Sequence, residues 1–498
     1  MLRLPDWAVH LPPGVAPAAV DLLEHGSLPA RWLARWSERP EAPALQGPDG
    51  RWLSAGELEE TTRRAAGRLR AAGLEPGQRL LVVAESSVGF VTAYIGALRA
   101  GLTVVPVNPA YPRPEVTAIV RDCRPAAALV DSDERAQWVL AASGGATPIH
   151  GLDLAGLPGP AASRLDRAAP GDVALLIYTS GTTGRPKGVP LTHANLLSSA
   201  TAVGLAWRWA PDDHLLLTLP LFHVHGLGVG LHGSLCAGAA VRLRPRFDPA
   251  DVARQAQAGA TVFFGVPTMY QRLAGESLAG ELRPLRLLVS GSAPLDPALA
   301  RQIATAAGQM PLERYGMSET VMLAGNPYDG ERRPGTVGFP FPGVELRLAD
   351  TGEVHVRGPN VIDGYLDQPE ATARAFSGDG WFRTGDIGEL DEEGYLRLVG
   401  RSKELIISGG YNVYPREVEE ALASHPAVRE VAVVGRPSER WGEEVTAVVV
   451  ADGDPDEAEL RRHAAELLAP YKVPKRIEFT TALPRNALGK VVRGELRG

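Results

Sequence analysis

Cysteine is nearly absent: Cys123 and Cys236 are the two in 498 residues. Two thiols build neither a disulfide framework nor a cysteine metal site, so the sequence points to a reducing compartment. An excess of basic charge is missing too. Lys and Arg number 51 against 58 Asp and Glu, a net of −7. An acidic chain is not drawn to nucleic acid or to an anionic membrane, which argues against both as main partners. Long hydrophobic runs are lacking: a stretch such as 446–451 is strand-length and far short of a bilayer span. The first twenty residues carry Asp6 and several prolines, without the basic start and apolar run of a secretory leader. The expectation is a cytoplasmic protein, monomeric or homodimeric, with no internal repeat.

What the sequence does have is length and apolar content. The chain exceeds one ordinary domain, and 45% hydrophobic residues suit a large buried core. Over the first two thirds, strand-like runs alternate with helical patterns. Residues 79–84 read as a buried strand, 88–100 as a helix and 103–107 as the next strand. The alternation recurs at 127–130, 173–178, 215–219, 261–264 and 285–289. This rhythm predicts a doubly wound α/β sheet whose loops after the strands are open to ligands. After about Asp386 the character changes. A strand at 394–400, a helix opening at Pro415, strands at 430–434 and 445–450, a helix over 456–468 and a strand at 476–479 make a small α+β unit. The boundary is placed between residues 400 and 401, giving domains 1–400 and 401–498, with a charged junction near Lys403 that reads as a hinge.

Residues 178–188 spell Tyr-Thr-Ser-Gly-Thr-Thr-Gly-Arg-Pro-Lys-Gly. An apolar strand runs into a Ser/Thr/Gly loop ending at Lys187. Small residues let backbone curl around an anion, while N–H groups, hydroxyls and the lysine meet its oxygens. The GK[ST] ending of a Walker loop is absent. The segment resembles the phosphate loop of the adenylate-forming superfamily: acyl-CoA synthetases, peptide-synthetase adenylation domains and luciferases. The resemblance extends over residues 30–498. It implies the family's fold, a large multi-lobed N-terminal α/β domain plus a small mobile C-terminal α+β domain. It also implies ATP, Mg²⁺, coenzyme A and a small-molecule carboxylic acid as reactants.

By that resemblance Thr179, Ser180, Gly181, Thr182, Thr183, Gly184 and Lys187 hold the ATP phosphates, with Thr183 counted as catalytic. Residues 290–294, Ser-Gly-Ser-Ala-Pro, alone read as a β–α turn; in the family the matching loop packs along adenine, which assigns Ser292, Ala293 and Pro294 to ATP. Residues 313–320 read Glu-Arg-Tyr-Gly-Met-Ser-Glu-Thr. The family sets the aromatic, Tyr315, against adenine, and Glu313, Arg314, Gly316, Met317 and Ser318 join that wall. Glu319 takes Mg²⁺ with Thr179, since magnesium requires hard oxygen donors beside phosphates. Asp386, in Trp-Phe-Arg-Thr-Gly-Asp, matches the ribose aspartate, and one carboxylate accepts from both hydroxyls. Arg401 matches an arginine reaching the ribose or phosphates. Lys490 matches the lysine that enters for adenylation and offsets charge building on the phosphate oxygens. Rotation about Lys403 would withdraw Lys490 and bring Ser408, Gly409, Gly410 and Tyr411 to coenzyme A, the glycines letting a pantetheine arm pass close to backbone.

Within the superfamily, segments 220–226, 265–272, 288–294 and 326–330 resemble malonyl-CoA synthetases. There an arginine at the position of Arg272 takes the distal carboxylate. A fatty or aryl pocket has no use for a buried cation, whereas a dicarboxylate offers it two hydrogen bonds. The other reading turns Arg272 to solvent, paired with Glu276 at i+4. His223, counted as catalytic, and His225 line the acyl pocket with Ser290 and Gly291; Val224 and Met317 bound the α-carbon. The His-x-His pair has no third ligand nearby and is not read as a metal site. A single methyl changes affinity too little to separate malonate from methylmalonate. Residues 346–356 form a shorter segment than the family's, with a surface hairpin cut back. The expected reaction is acyl-adenylate formation with loss of pyrophosphate, then thioester formation with loss of AMP. The alternatives are a medium-chain or aryl acid-CoA ligase, and a stand-alone adenylation enzyme loading an acyl carrier protein. A nucleotide sensor is disfavoured, because pure binding needs no mobile lysine.

Overall fold

The computed structural model describes residues 2–3, 7–159, 164–179, 187–438, 440–485 and 491–497. Two compact units emerge. The larger comprises Leu4–Glu345 and Val356–Phe382; the smaller comprises Met1–Arg3, Leu346–His355 and Arg383–Gly498.

In the larger unit, strands Ile149–Gly151, Ala127–Val130, Arg79–Val83, Thr103–Val107 and Val173–Thr179 lie parallel, with Lys187–Thr192 antiparallel at the edge. A second sheet has a parallel centre of Leu312–Tyr315, Leu287–Ser290, Val262–Gly265, His214–Leu217, Ala240–Leu243 and Pro43–Gln46, closed by antiparallel strands at both edges. Parallel strands covered on both faces read as unbroken apolar runs. Leu81, Val83, Val105 and Ala128 accordingly pack with Val116, Ile119 and Val120 of the helix Arg113–Cys123. The helices start where side chains cap them: Ser87 accepts from Phe90 N–H, and Thr192 with Asn195 forms a capping box at the helix His193–Ala206. The doubly wound α/β pattern read from the alternation of runs is the architecture found.

In the smaller unit, strands Phe382–Leu390 and Leu396–Arg401 pair antiparallel, and Glu345–Leu348 and Glu353–Arg357 join their sheet through the short turn at 349–352. A second sheet runs Tyr411–Val413, Ile406–Ser408, Gly442–Ala451, Val428–Ser438, with Arg476–Phe479 added parallel to Gly442–Ala451. Helices Pro415–Ala423 and Glu457–Leu467 bury Val418, Leu422, Leu460 and Ala464 against Val433, Val445 and Val449. Packing therefore divides the chain before residue 383, ahead of the 400/401 boundary read from the sequence. The reason is strand pairing: residues 386–401 form one hairpin and go together.

Candidate active site

The strand Val173–Thr179 ends with Thr179 paired to Lys187, the first residue of the returning strand. The intervening loop, with Ser180, Gly181, Thr182, Thr183 and Gly184, lies outside the described residues, as does Lys490. Lys187 Nζ stands 4.8 Å from the ring centroid of Tyr365. The Tyr365 hydroxyl donates to Glu319 Oε1 at 3.0 Å. Burial, the Glu319 charge and that hydrogen bond all hold the Tyr365 phenol protonated, well above its ordinary pKa. Lys187 and Glu319, assigned separately from the sequence, thus meet on two sides of one ring. Tyr365 is a residue the sequence reading missed; no motif around it carried a signal.

On the strand Leu312–Tyr315 of the second sheet, Arg314 is buried. Its Nη2 donates to Ser292 Oγ at 3.5 Å, a long bond, and its Nε has no partner among the described residues. No carboxylate among the described residues pairs with it. Burial lowers its pKa to about 9. Gly291 makes this placement possible: a Cβ there would overlap the guanidinium. Ser292 holds φ +70, a left-handed conformation that a serine adopts at a cost, and places Oγ 3.1 Å from His225 Nδ1. His225 N–H donates to His223 Nδ1 at 3.2 Å, at the start of a wide π-type turn over His225–Leu231. Ser290 Oγ is buried with no hydrogen-bond partner among the described residues. Arg314 thus meets Ser292, which like it was expected at the nucleotide and which in turn meets His225.

Other expected residues fall into place differently. Glu313 accepts from Gly335 N–H at 2.9 Å and Leu295 N–H at 3.2 Å, so it clamps the loop after Pro294. Tyr315 and Val224 are buried, Met317 and Ser318 half-buried, Ala293 and Pro294 exposed. Gly316 lets the chain press against Val321, itself strained at φ +54. Arg272 is not in the cluster. It lies on the helix Pro267–Gly275, which turns Tyr270 and Leu273 inward. Arg272 points away from that face, 3.4 Å from Glu276 Oε1 and 5.2 Å from the Phe247 ring centroid, with its side chain 54% exposed. The solvent-facing reading of Arg272 is the one the structure adopts, and helical phase is the reason.

In the smaller unit Asp386 is buried, and Arg401, its register partner, brings Nε to 2.9 Å from Asp386 Oδ1. Lys403 sits exposed in the turn Ser402–Glu404. Ser408 is buried and pairs across the hairpin with Tyr411, which is exposed and stacks on Tyr471 at 4.6 Å. Gly409 and Gly410, at φ +59 and +81, form the two-residue turn between them. Their glycine requirement is set by this turn, a reason the sequence reading did not consider.

The chain matches the model of the AMP-binding enzymes over residues 33–366 and that of the AMP-binding enzyme C-terminal domain over 417–490. It belongs to the AMP-binding enzyme family. A feruloyl-CoA synthase of an Amycolatopsis species is 39% identical over 95% of this chain and 98% of that protein. A malonate–CoA ligase of Arabidopsis thaliana is 36% identical over 84% of this chain and 78% of that protein. ATP-bound MatB of Rhodopseudomonas palustris superposes with a TM-score of 0.89, at 38% identity, over 95% of this chain and 98% of that one. The protein is an AMP-forming CoA ligase with the adenylate-forming fold, using ATP, Mg²⁺ and coenzyme A. Among the described residues no three His, Cys, Asp or Glu side chains gather into a metal cage. Magnesium carried on nucleotide phosphates needs only one or two protein carboxylates, and the buried Glu319 carboxylate fits that need. No helix of the described residues is long and apolar enough to cross a membrane.

Proposed function

We propose that the acid is a small dicarboxylate, malonate or methylmalonate, and that Arg314 rather than Arg272 takes its second carboxylate. The observation that carries this is the buried Arg314 guanidinium, whose Nε has no partner among the described residues. An unpaired buried cation is costly, and its own neighbours supply one weak bond. A substrate carboxylate would complete it with two charge-assisted hydrogen bonds. Ser292, His225 and the unpartnered Ser290 Oγ extend the same polar patch, and Val224 and Met317 are proposed to bound the α-carbon.

In the first half-reaction a substrate carboxylate oxygen attacks the α-phosphorus of ATP. A P–O bond forms, the bond to the bridging oxygen breaks and pyrophosphate leaves. Lys187 and, by resemblance, the loop Thr179–Gly184 and Lys490 would meet the negative charge that shifts onto phosphate oxygens. Magnesium, when bound, supplies further positive charge there; Glu319 and Thr179 would hold it. Tyr315 and the loop 292–294 would face adenine, and Asp386 with Arg401 would receive the ribose. In the second half-reaction the coenzyme A thiolate attacks the acyl carbon and AMP leaves; Ser408 is buried, so among residues 408–411 the exposed Gly409, Gly410 and Tyr411 are the candidate contacts for the pantetheine arm.

The test is pyrophosphate release with ATP, Mg²⁺ and coenzyme A, comparing malonate, methylmalonate, acetate, octanoate and 4-coumarate. The native protein, Arg314→Met and Arg272→Ala are run in parallel. Malonate should be preferred, Arg314→Met should lose that preference by about 10²-fold or more, as removal of a buried charged partner implies, and Arg272→Ala should keep it. A winning monocarboxylate with Arg314→Met unaffected overturns the dicarboxylate reading and leaves the ligase in place.

A further inference from the structure

A tyrosine packed into a core commonly gives its hydroxyl to a backbone carbonyl, as Tyr270 does to Val289 O at 2.9 Å. Tyr365 instead gives its hydroxyl to a carboxylate, Glu319, while a cation, Lys187, rests on its face. We infer that Tyr365 is a positioning residue: its hydroxyl aims the Glu319 carboxylate at the magnesium that accompanies ATP, and its ring keeps Lys187 from closing onto that carboxylate.

The spacing makes the second role necessary. Lys187 and Glu319 carry opposite charges in a partly dehydrated place, where attraction between them is stronger than in water. Lys187 nevertheless pairs with no carboxylate among the described residues, and the Tyr365 ring is what it touches. A Lys187–Glu319 ion pair would occupy both groups needed at the phosphates. The ring replaces that pair with a weaker cation–π contact that a phosphate can displace.

The ring is held in register from several directions. Leu366 N–H donates to Gly188 O at 2.9 Å, tying the tyrosine to the strand that begins at Lys187. Ile362 N–H donates to Glu319 O at 3.0 Å, tying it to the acid. Asn360 Nδ2 donates to Thr320 O and Met322 O at 2.7 and 2.8 Å, just beyond Glu319. Asn195 Nδ2 donates to Pro359 O and Val361 O at 2.8 and 2.9 Å. One short segment thus reaches both chemical groups, and Tyr365 is its side chain between them.

The inference rests on the assignment of Glu319 to magnesium, so the experiment carries Glu319→Gln beside Tyr365→Phe and Tyr365→Leu. Binding of α,β-methylene-ATP is measured by calorimetry across a magnesium titration and in EDTA, with a thermal melt of each variant. Tyr365→Phe keeps the ring and should leave binding in EDTA within about twofold, while half-saturation by magnesium moves up about tenfold, the loss of one hydrogen bond to a charged group. Tyr365→Leu removes the spacer as well and should weaken binding under both conditions. Half-saturation unchanged in Tyr365→Phe while Glu319→Gln shifts it overturns the role of Tyr365 alone. An unchanged magnesium titration in Glu319→Gln overturns the Glu319 assignment and the inference with it. Equal loss with and without magnesium in Tyr365→Phe, with a lowered melt, marks a packing residue and also overturns the inference.

Discussion

A guanidinium removed from water without an anion has a proton it holds less tightly, and this gives Arg314 a visible titration. Burial brings its pKa down from the ordinary guanidinium value to about 9. The charged form, which a second carboxylate requires, is full at pH 7 to 8 and is lost as pH rises through about 9. The malonate KM should therefore be flat from pH 7 to 8 and climb above about pH 9, approaching tenfold per unit. ATP KM measured over the same range is the control; a malonate KM that stays flat to pH 10 removes Arg314 from the acyl pocket. The linkage has the matching sign: folding penalises the charged form, so the cost is full below about pH 9 and is relieved as pH climbs above it. Bound malonate should accordingly stabilise the protein most at neutral pH. The sequence placed Arg314 beside ATP because its neighbours in the chain, Tyr315 and Glu319, belong there by resemblance. Side chains alternate along a strand, however, and the face of Arg314 depends on Gly291, 23 residues earlier. That approach is visible only once the strands 287–290 and 312–315 are paired. The outward phase of Arg272 was readable: Tyr270 and Leu273 already marked the buried stripe of its helix.

At the scale of elements, the helix His193–Ala206 does more than cover a sheet. Its third residue, Asn195, closes the capping box with Thr192 and also donates to Pro359 O and Val361 O. Asn195→Ala opens the cap and strands one buried and one partly buried carbonyl, so a loss of about 2–3 kcal/mol is expected. It should appear as a lower urea midpoint, with ATP binding weakened because the segment 359–366 loses its anchor. An unchanged midpoint would show that these carbonyls are satisfied otherwise. Runs of buried apolar residues made the parallel strands 103–107 and 127–130 legible, and the alternation of charged and apolar residues in Arg-Ile-Glu-Phe did the same for 476–479; all three fall where the pattern put them. Strands Ile406–Ser408 and Tyr411–Val413 were not read, because three residues each leave no period to detect. The Gly409-Gly410 pair between them was the available signal, being the residue type a tight two-residue hairpin turn demands.

At the scale of the whole chain, composition bounded the class and motif order supplied the family, but packing and motion draw different borders. Packing assigns 383–401 to the smaller unit because Asp386 to Leu390 pairs with Leu396 to Arg401. A pivot has no such signature; it is a place where backbone angles change while pairing on either side survives. The resemblance puts the expected pivot at Lys403, which lies in the turn Ser402–Glu404 between the strand Leu396–Arg401 and the strand Ile406–Ser408. Beyond it, Arg493 joins Glu404 at 3.2 Å and Glu419 at 2.8 Å, which fastens the end of the chain to the first turn after the pivot. By the family resemblance, Lys490 would travel with whatever follows Lys403. Proline fixes φ near −65° and removes the N–H, so Lys403→Pro should arrest such a swing without touching either set of reacting groups. One half-reaction should survive and the other fail: ATP–pyrophosphate exchange with malonate is compared with thioester formation from pre-made malonyl-adenylate. An equal loss of both, or of neither, would mean that the two half-reactions do not divide at this residue.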